Sequence, residues 1–421
     1  MPARVHTSAP TAPESTWTEH NRAAGAARQR GDWADYRRQL ERVRATIGDH
    51  PTLLVGVARA SARLGEADSA MAALRRYASM GLALDTDGPD ADSAWIPLHA
   101  RADWAPLAAR LRPRATPGRA TVAFALGDST AMAEGVAHDA RTARTFVASI
   151  RRGTVTVRDG MGQRVFVHAP SEGDWWSLLG LAVDVKRGLL WASTAALPHF
   201  AARAAADSNR TALVAFDLFT GAARGRVELA PDGRRHVLGD ISLLDDGTVI
   251  AADAEGGMLY ALEPRGTALR PLVAAGVLPS PQGSAGARDR HQLFVADYVK
   301  GIVVVDRRKG TVRPLARPDS LALVGIDGLV RVGDELIAVQ NGTRPQRVLR
   351  LTLDPLQTRV VKWEVLAAGA PTLDEPTHVA PFGPGQVLVV ANSGWNRFTD
   401  EGLRRPDLAL EPSRVLRIPL P

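Results

Sequence analysis

The feature that most constrains this chain is a short apolar strand ending in a small polar residue, which recurs six times beyond about residue 120. The copies end Val147-Ala148-Ser149, Trp191-Ala192-Ser193, Ala251-Ala252-Asp253, Val295-Ala296-Asp297, Ala338-Val339-Gln340 and Val390-Ala391-Asn392. Their last residues lie 44, 60, 44, 43 and 52 positions apart. Each copy follows a Gly-containing strand and a turn rich in Asp, Gly or Arg. A four-stranded blade takes about 40–50 residues, so six copies predict a six-bladed β-propeller. The two long intervals match insertions at Leu197 to Asn209 and after Gln340. A parallel β-helix does not tolerate such uneven rungs, and a sandwich does not repeat in this way.

Closure of the ring is also written in the chain. Thr121-Val122-Ala123-Phe124-Ala125-Leu126 stands before the first unit as a spare strand, while the last unit ends at Ser413–Ile418 without an outermost strand. Pairing the two joins the ends and hides two sheet edges.

The chain before the propeller reads as helices. Tyr36, Leu40 and Val43 fall on one helix face, and similar faces follow from Thr52 to Leu64 and from Ala67 to Tyr77. Gly31-Asp32-Trp33-Ala34 and Gly65-Glu66-Ala67-Asp68 open two comparable helices 34 residues apart. That period resembles tetratricopeptide hairpins over about 90 residues. An unrelated α-hairpin bundle remains the alternative. In both readings the segment carries no catalytic set and serves for packing or for a protein partner held through residues 20–113. The expected organisation is a flexible tail at 1–19, a tetratricopeptide-like helical domain at 20–113, a Pro/Gly linker at 114–120 and the propeller at 121–421.

Composition narrows the function. The 421 residues carry 52 Lys and Arg against 45 Asp and Glu, a formal charge of +7, but the basic residues are interleaved with acids and few aromatics flank them. A nucleic-acid surface is therefore not expected. With no cysteine, disulfides, thiolate metal sites and a Cys nucleophile are excluded. No uncharged apolar run approaches 18 residues and the first 19 lack the apolar stretch of a secretory signal. The protein is expected to be soluble and without a membrane span, cytoplasmic by default, or periplasmic or secreted if a leader has been removed. No Gly-x-Ser-x-Gly elbow, P-loop, dinucleotide fingerprint or His-Glu-x-x-His occurs.

The blade openings carry the chemistry. They read Ala133-Glu134-Gly135, Leu179-Gly180-Leu181, Gly239-Asp240-Ile241, Pro281-Gln282-Gly283, Ile326-Asp327-Gly328 and Pro376-Thr377-His378. This series resembles the gluconolactonase/regucalcin family of six-bladed propellers, whose blades open with Glu-Gly, Asn-Asp, Pro-Asn-Gly and Pro-Asp-Gly. The resemblance spans residues from about 120 onward and implies a divalent cation at one mouth of the central channel, Ca²⁺ first, with Zn²⁺ or Mn²⁺ as alternatives. It implies Glu134 and Asp327 as metal ligands, Gln282 in place of the third-ligand Asn, and Asp327 also as catalytic base. Gly239 stands where the family has a substrate-contacting Asn, beside Asp240. Inner strands converge on the axis, so one oxygen per blade suits a hard cation. The implied activity is metal-dependent hydrolysis of a small-molecule lactone or ester; the alternative is a non-catalytic propeller binding a small ligand or protein.

Asp240, Asn341 and His378 are further channel candidates. The loops after Ser193 and Asn392 are expected to rise around the same mouth, bringing His199, Phe200, Trp395, Asn396, Arg397 and Phe398 over it.

Overall fold

Each second strand of the propeller is apolar on both faces because each face meets a different blade. In the computed structural model, which describes residues 16–116, 118–168, 174–370 and 372–420, Leu293 and Val295 pack with Ile250 and Leu259 of the third blade. The intervening Phe294 packs with Leu336 and Leu349 of the fifth. The same two-residue alternation operates on the next blade, where Leu336 faces back and Ile337 faces Val387 and Val389 of the sixth. Six clusters of buried apolar residues result, one between each pair of neighbouring blades, the last joining Val390 and Val415 to Val136 and Val147. Continuous apolar runs are the pattern expected of strands covered on both sides.

The six sheets each have four antiparallel strands. The inner strands are Ala133–Asp139, Ser177–Asp184, Leu238–Leu243, Pro281–Gly286, Ile326–Val332 and Val379–Pro381, and each neighbours the next around the axis. The first five blades run from inside to outside in chain order. The sixth is completed by the expected closure: Thr121–Ala125 pairs antiparallel with Arg414–Pro419, Thr121 opposite Arg417 and Ala125 opposite Arg414. The insertion at 197–209 joins strands Leu189–Ala195 and Thr211–Asp217 and holds a short 3-10 turn, Ala205–Asp207. The second long interval, after Gln340, comes from the lengthened outer strand Val360–Ala368 and the segment that follows it.

The polar residues that end the second strands act as staples. Asp297 accepts from the backbone N–H groups of Ser280, Val299 and Lys300 at 2.7–3.0 Å. Asp253 accepts from Val237 and Gly256, each at 2.9 Å. Gln340 donates to the carbonyls of Ala322 and Val324, and Asn392 bonds Arg414 N and Pro412 O. Each is buried, and each satisfies loop backbone that leaves the sheets at one face of the ring, where an unpaired polar group costs about 1–3 kcal/mol.

The chain divides into two compact units, one comprising residues up to Ser79 with Thr86–Arg110, the other Met80–Asp85 with the chain from Leu111 onward. The first unit is helical. Helices Thr16–Gln29, Trp33–Ile47, Pro51–Arg63 and Ala67–Ser79 form successive hairpins. The 34-residue shift reappears as Gly31 and Gly65, both left-handed, two residues before the starts of helices at Trp33 and Ala67. Leu40 and Leu74 are buried in register. In the second unit, Met80–Asp85 runs beside the fifth blade: Ala83 N donates to Arg344 O at 2.7 Å and the Arg347 guanidinium donates to the carbonyls of Met80 and Gly81. No helix among the described residues is long and apolar enough to cross a membrane.

Removing residues 119–127 exposes the edge of Arg414–Pro419 and one face of the last interblade core. The deleted protein is expected to yield no soluble monomer; a monomer with unchanged thermal stability contradicts closure through this strand.

Candidate active site

The channel is shaped by a repeated irregularity in the inner strands. The ladder between first and second strands skips two residues in each of five blades: Glu134 and Gly135, Leu179 and Gly180, Gly239 and Asp240, Gln282 and Gly283, Asp327 and Gly328. Such a bulge re-aims side chains out of the ladder. In four of these blades the second skipped residue is glycine, and a Cβ there would collide with backbone of the next blade, in its inner strand (Gly135 with Leu179, Gly180 with Ile241, Gly283 with Leu329) or at the entry to it (Gly328 with Thr377). Glycine thus lets adjacent blades touch at the axis.

In the third blade that second position is Asp240, and in the sixth blade His378 sits just before the inner strand. These blades face each other across the ring, and His378 Nε2 lies 2.6 Å from Asp240 Oδ1. The contact spans the axis. His378 borders two cavities, one of about 470 Å³ on the side of Glu134 and Asp327 and one of about 410 Å³ on the other. The His–Asp pair is therefore a partition between them. Val136 N–H points at His378 Nδ1 at 3.4 Å, so the neutral ring with its proton on Nε2 satisfies both neighbours. Burial disfavours the imidazolium, but the Asp240 carboxylate outweighs it and raises the histidine above its ordinary value.

The first cavity is the mouth foreseen from the loops. Glu134, Gln282, Asp327, Asp240 and His378 line it together with His199 and Trp395. Trp395 Nε1 donates to Glu134 Oε2 at 2.9 Å. His199 is buried and packs edge-on against the Trp395 ring at 4.7 Å between centroids, with Phe398 behind it. The loops of the second and sixth blades thereby meet over the acids. Burial holds His199 below its usual value and hence neutral near pH 7.

Asn341 reaches this site through Asp327. Its Nδ2 donates to Asp327 Oδ2 at 2.7 Å, and its Oδ1 accepts from the Tyr298 hydroxyl at 3.0 Å. Burial, with the charges of Asp327 and Glu375, pushes the Tyr298 phenol up to about 12, so it remains a donor. Sequence reasoning missed Tyr298 and Glu375. Tyr298 directly follows Asp297, one of the stapling residues, as Asn341 follows Gln340; applying the loop argument to every blade would have found it. Glu375 adopts a left-handed conformation, φ 57°, and accepts from Asn396 N at 2.7 Å, a role with no signature beyond its place before Pro376.

The acids at this mouth hold their protons tightly. Burial, then the neighbouring Asp240 charge, lifts Asp327 from 3.8 to about 6 against the opposing pull of Asn341 and His378. Glu134 is raised well above its ordinary value by burial and then by Asp327, partly relieved by Trp395. Among the described residues neither acid forms an ion pair with Lys or Arg. Each keeps one oxygen outside its hydrogen bond, and Gln282, whose Nε2 donates to Ser280 Oγ at 3.2 Å, keeps Oε1. No three His, Cys, Asp or Glu side chains among the described residues gather as a metal cluster; the available set is two carboxylates and one amide. Hard oxygens with excess negative charge fit a divalent cation of the Ca²⁺ type.

No protein-family profile matches this chain, and no curated protein matches it. Solved structures do. A luciferin-regenerating enzyme aligns over 72% of this chain and 95% of its own at 15% identity and a TM-score of 0.50. A PQQ-bound aldose sugar dehydrogenase from Streptomyces coelicolor aligns over 73% and 99% at 17% identity and 0.48. A calcium-binding regucalcin from Agrobacterium tumefaciens aligns over 70% and 93% at 17% identity and 0.48. At 15% identity the first of these bears on the fold alone, and the chain's own sheets and helices give that fold: a six-bladed β-propeller preceded in sequence by a helical region.

The axis geometry separates two kinds of glycine. A Cβ at Gly239 meets nothing within 4 Å, whereas one at Gly135 strikes Leu179 O. Gly135→Ala is expected to destabilise the propeller by about 1–3 kcal/mol in urea unfolding, and Gly239→Ala to leave it within about 0.5 kcal/mol. Equal effects contradict this packing.

Proposed function

We propose that this protein is a hydrolase of a small lactone or related ester that depends on a divalent cation held by Glu134, Gln282 and Asp327. The observation carrying the reading is the pair of carboxylates, Glu134 and Asp327, that line one cavity without a Lys or Arg counter-charge among the described residues; burial raises both, Asp240 raises Asp327 further and Asp327 raises Glu134. Two such groups repel unless protonated or bridged by positive charge. When bound, the cation would polarise an ester carbonyl and acidify a water.

The chain's own residues supply the rest. Asn341, held by Tyr298, fixes Asp327 through Oδ2 and leaves Oδ1 for a proton. A carboxylate lifted to about 6 is suited to general base work near neutrality. Trp395 fixes Glu134 through Oε2. The His378–Asp240 partition closes the cavity floor, while the His199 and Trp395 rings cover the acids from above. A 470 Å³ cavity of this mixed polar and aromatic lining suits a small molecule. The open space at Gly239 favours a second reading, a ligand held without turnover, since the resemblance places a substrate-binding amide there. Recruitment of a protein partner by the helical unit is compatible with both.

The test is calorimetric Ca²⁺ and Mn²⁺ binding after chelator treatment, together with hydrolysis of a panel of five- and six-membered lactones. Glu134→Gln and Asp327→Asn are each expected to weaken cation binding by about 100-fold or more and to abolish hydrolysis. Wild-type kcat/KM should rise with pH up to an apparent pKa at or below about 6, because a bound cation lowers the Asp327 value. Cation binding without turnover supports the second reading. No cation binding, or hydrolysis unaltered in both variants, overturns the proposal.

A further inference from the structure

The opposite end of the channel has a cavity of its own, about 410 Å³, below the His378–Asp240 partition. Its wall bears Arg331, whose guanidinium is clamped by backbone: Nε donates to Gly286 O at 2.6 Å and Nη1 to Gly333 O at 2.7 Å. Nε and one Nη1 hydrogen are spent on these carbonyls, and Nη2 is left over. Among the described residues no carboxylate pairs with Arg331. Other charges of this mouth offset each other: Arg307 bonds Asp246 Oδ2 at 3.0 Å and Arg288 pairs with Asp334, while Arg290 and Asp245 both sit at the rim.

Two hydroxyls complete the wall. Ser242 and Ser284, on adjacent inner strands, bond each other at 2.7 Å. That single bond consumes one hydroxyl hydrogen of the two, so one donor is unspent whichever serine gives it. Ser284 is 5% exposed. A guanidinium held by two backbone carbonyls with Nη2 unspent, and a hydroxyl donor on the neighbouring blades, supply N–H and O–H groups whose side chains are already ordered, and such charge-assisted donors match carboxylate and phosphate oxygens.

We propose that this second cavity binds a small oxyanion, a carboxylate or phosphate group, through Arg331 with Ser242 and Ser284. The site is separate from the Glu134–Asp327 mouth and takes the opposite charge. It stands whether or not the other mouth is hydrolytic.

The probes are inorganic phosphate and succinate, titrated calorimetrically into the full-length protein at low ionic strength. At least one is expected to bind, with affinity reduced about tenfold or more in Arg331→Met and in the double variant Ser242→Ala/Ser284→Ala, and unchanged in Glu134→Gln. Arg331→Lys keeps the charge but loses the fork, and is expected to bind more weakly than wild type; it replaces the Met variant should that one not fold. Failure of both probes to bind at tens of millimolar, or affinity equal in wild type and the Arg331 variants, overturns the proposal.

Discussion

In five of the six blades two residues leave the ladder between the first and second strands, and the axis is built on them. Where the second is glycine, neighbouring inner strands come into backbone contact and the channel is narrow. Where it is Asp240, or where His378 stands in the sixth blade, a side chain enters the channel instead, and the two meet from opposite sides of the ring. One geometrical device therefore sets the ring's tightness, presents Glu134, Gln282 and Asp327 at one mouth, and divides the channel in two.

The remainder of the propeller makes that device possible. Interblade cores fed alternately by successive residues of each second strand hold the six sheets at fixed spacing, and the strand Thr121–Ala125 closes the last of them. The stapling residues tie down the loops that surround the acidic mouth. A rigid frame matters for the carboxylates, because their raised proton affinity depends on their remaining close, shielded and without counter-ions. Opposite polarities follow at the two ends: paired acids under an aromatic lid at one, a clamped guanidinium with serine hydroxyls at the other.

Much of this was legible in the chain because it repeats. Six strands ending in a polar residue mark six blades, since each blade needs the same staple at the same place. Glu134-Gly135 and Asp327-Gly328 were assigned to a channel mouth through the family resemblance, and in the structure each dipeptide is the two-residue bulge; the loops bearing His199 and Trp395 followed from strand direction. The His378–Asp240 contact was not legible as a contact. Its partners are 138 residues apart, and only ring closure puts them face to face. Tyr298 acts on Asp327 only through Asn341; its place directly after the stapling Asp297 was the signal the chain offered. The second long interval, placed after Gln340 without an element to fill it, is taken up by the long outer strand of the fifth blade and the segment behind it.

The central proposal is that Glu134 and Asp327 are a buried carboxylate pair, raised in proton affinity, that would hold a divalent cation. Carbon-13 NMR of the side-chain carboxyls, titrated from pH 3 to 9 with and without Ca²⁺, measures this directly. The account predicts an Asp327 carboxyl that titrates near 6 in the cation-free protein, a Glu134 carboxyl that titrates above the usual glutamate range, and a fall of both when Ca²⁺ is added. Two carboxyls titrating near 4 and indifferent to Ca²⁺ would contradict it.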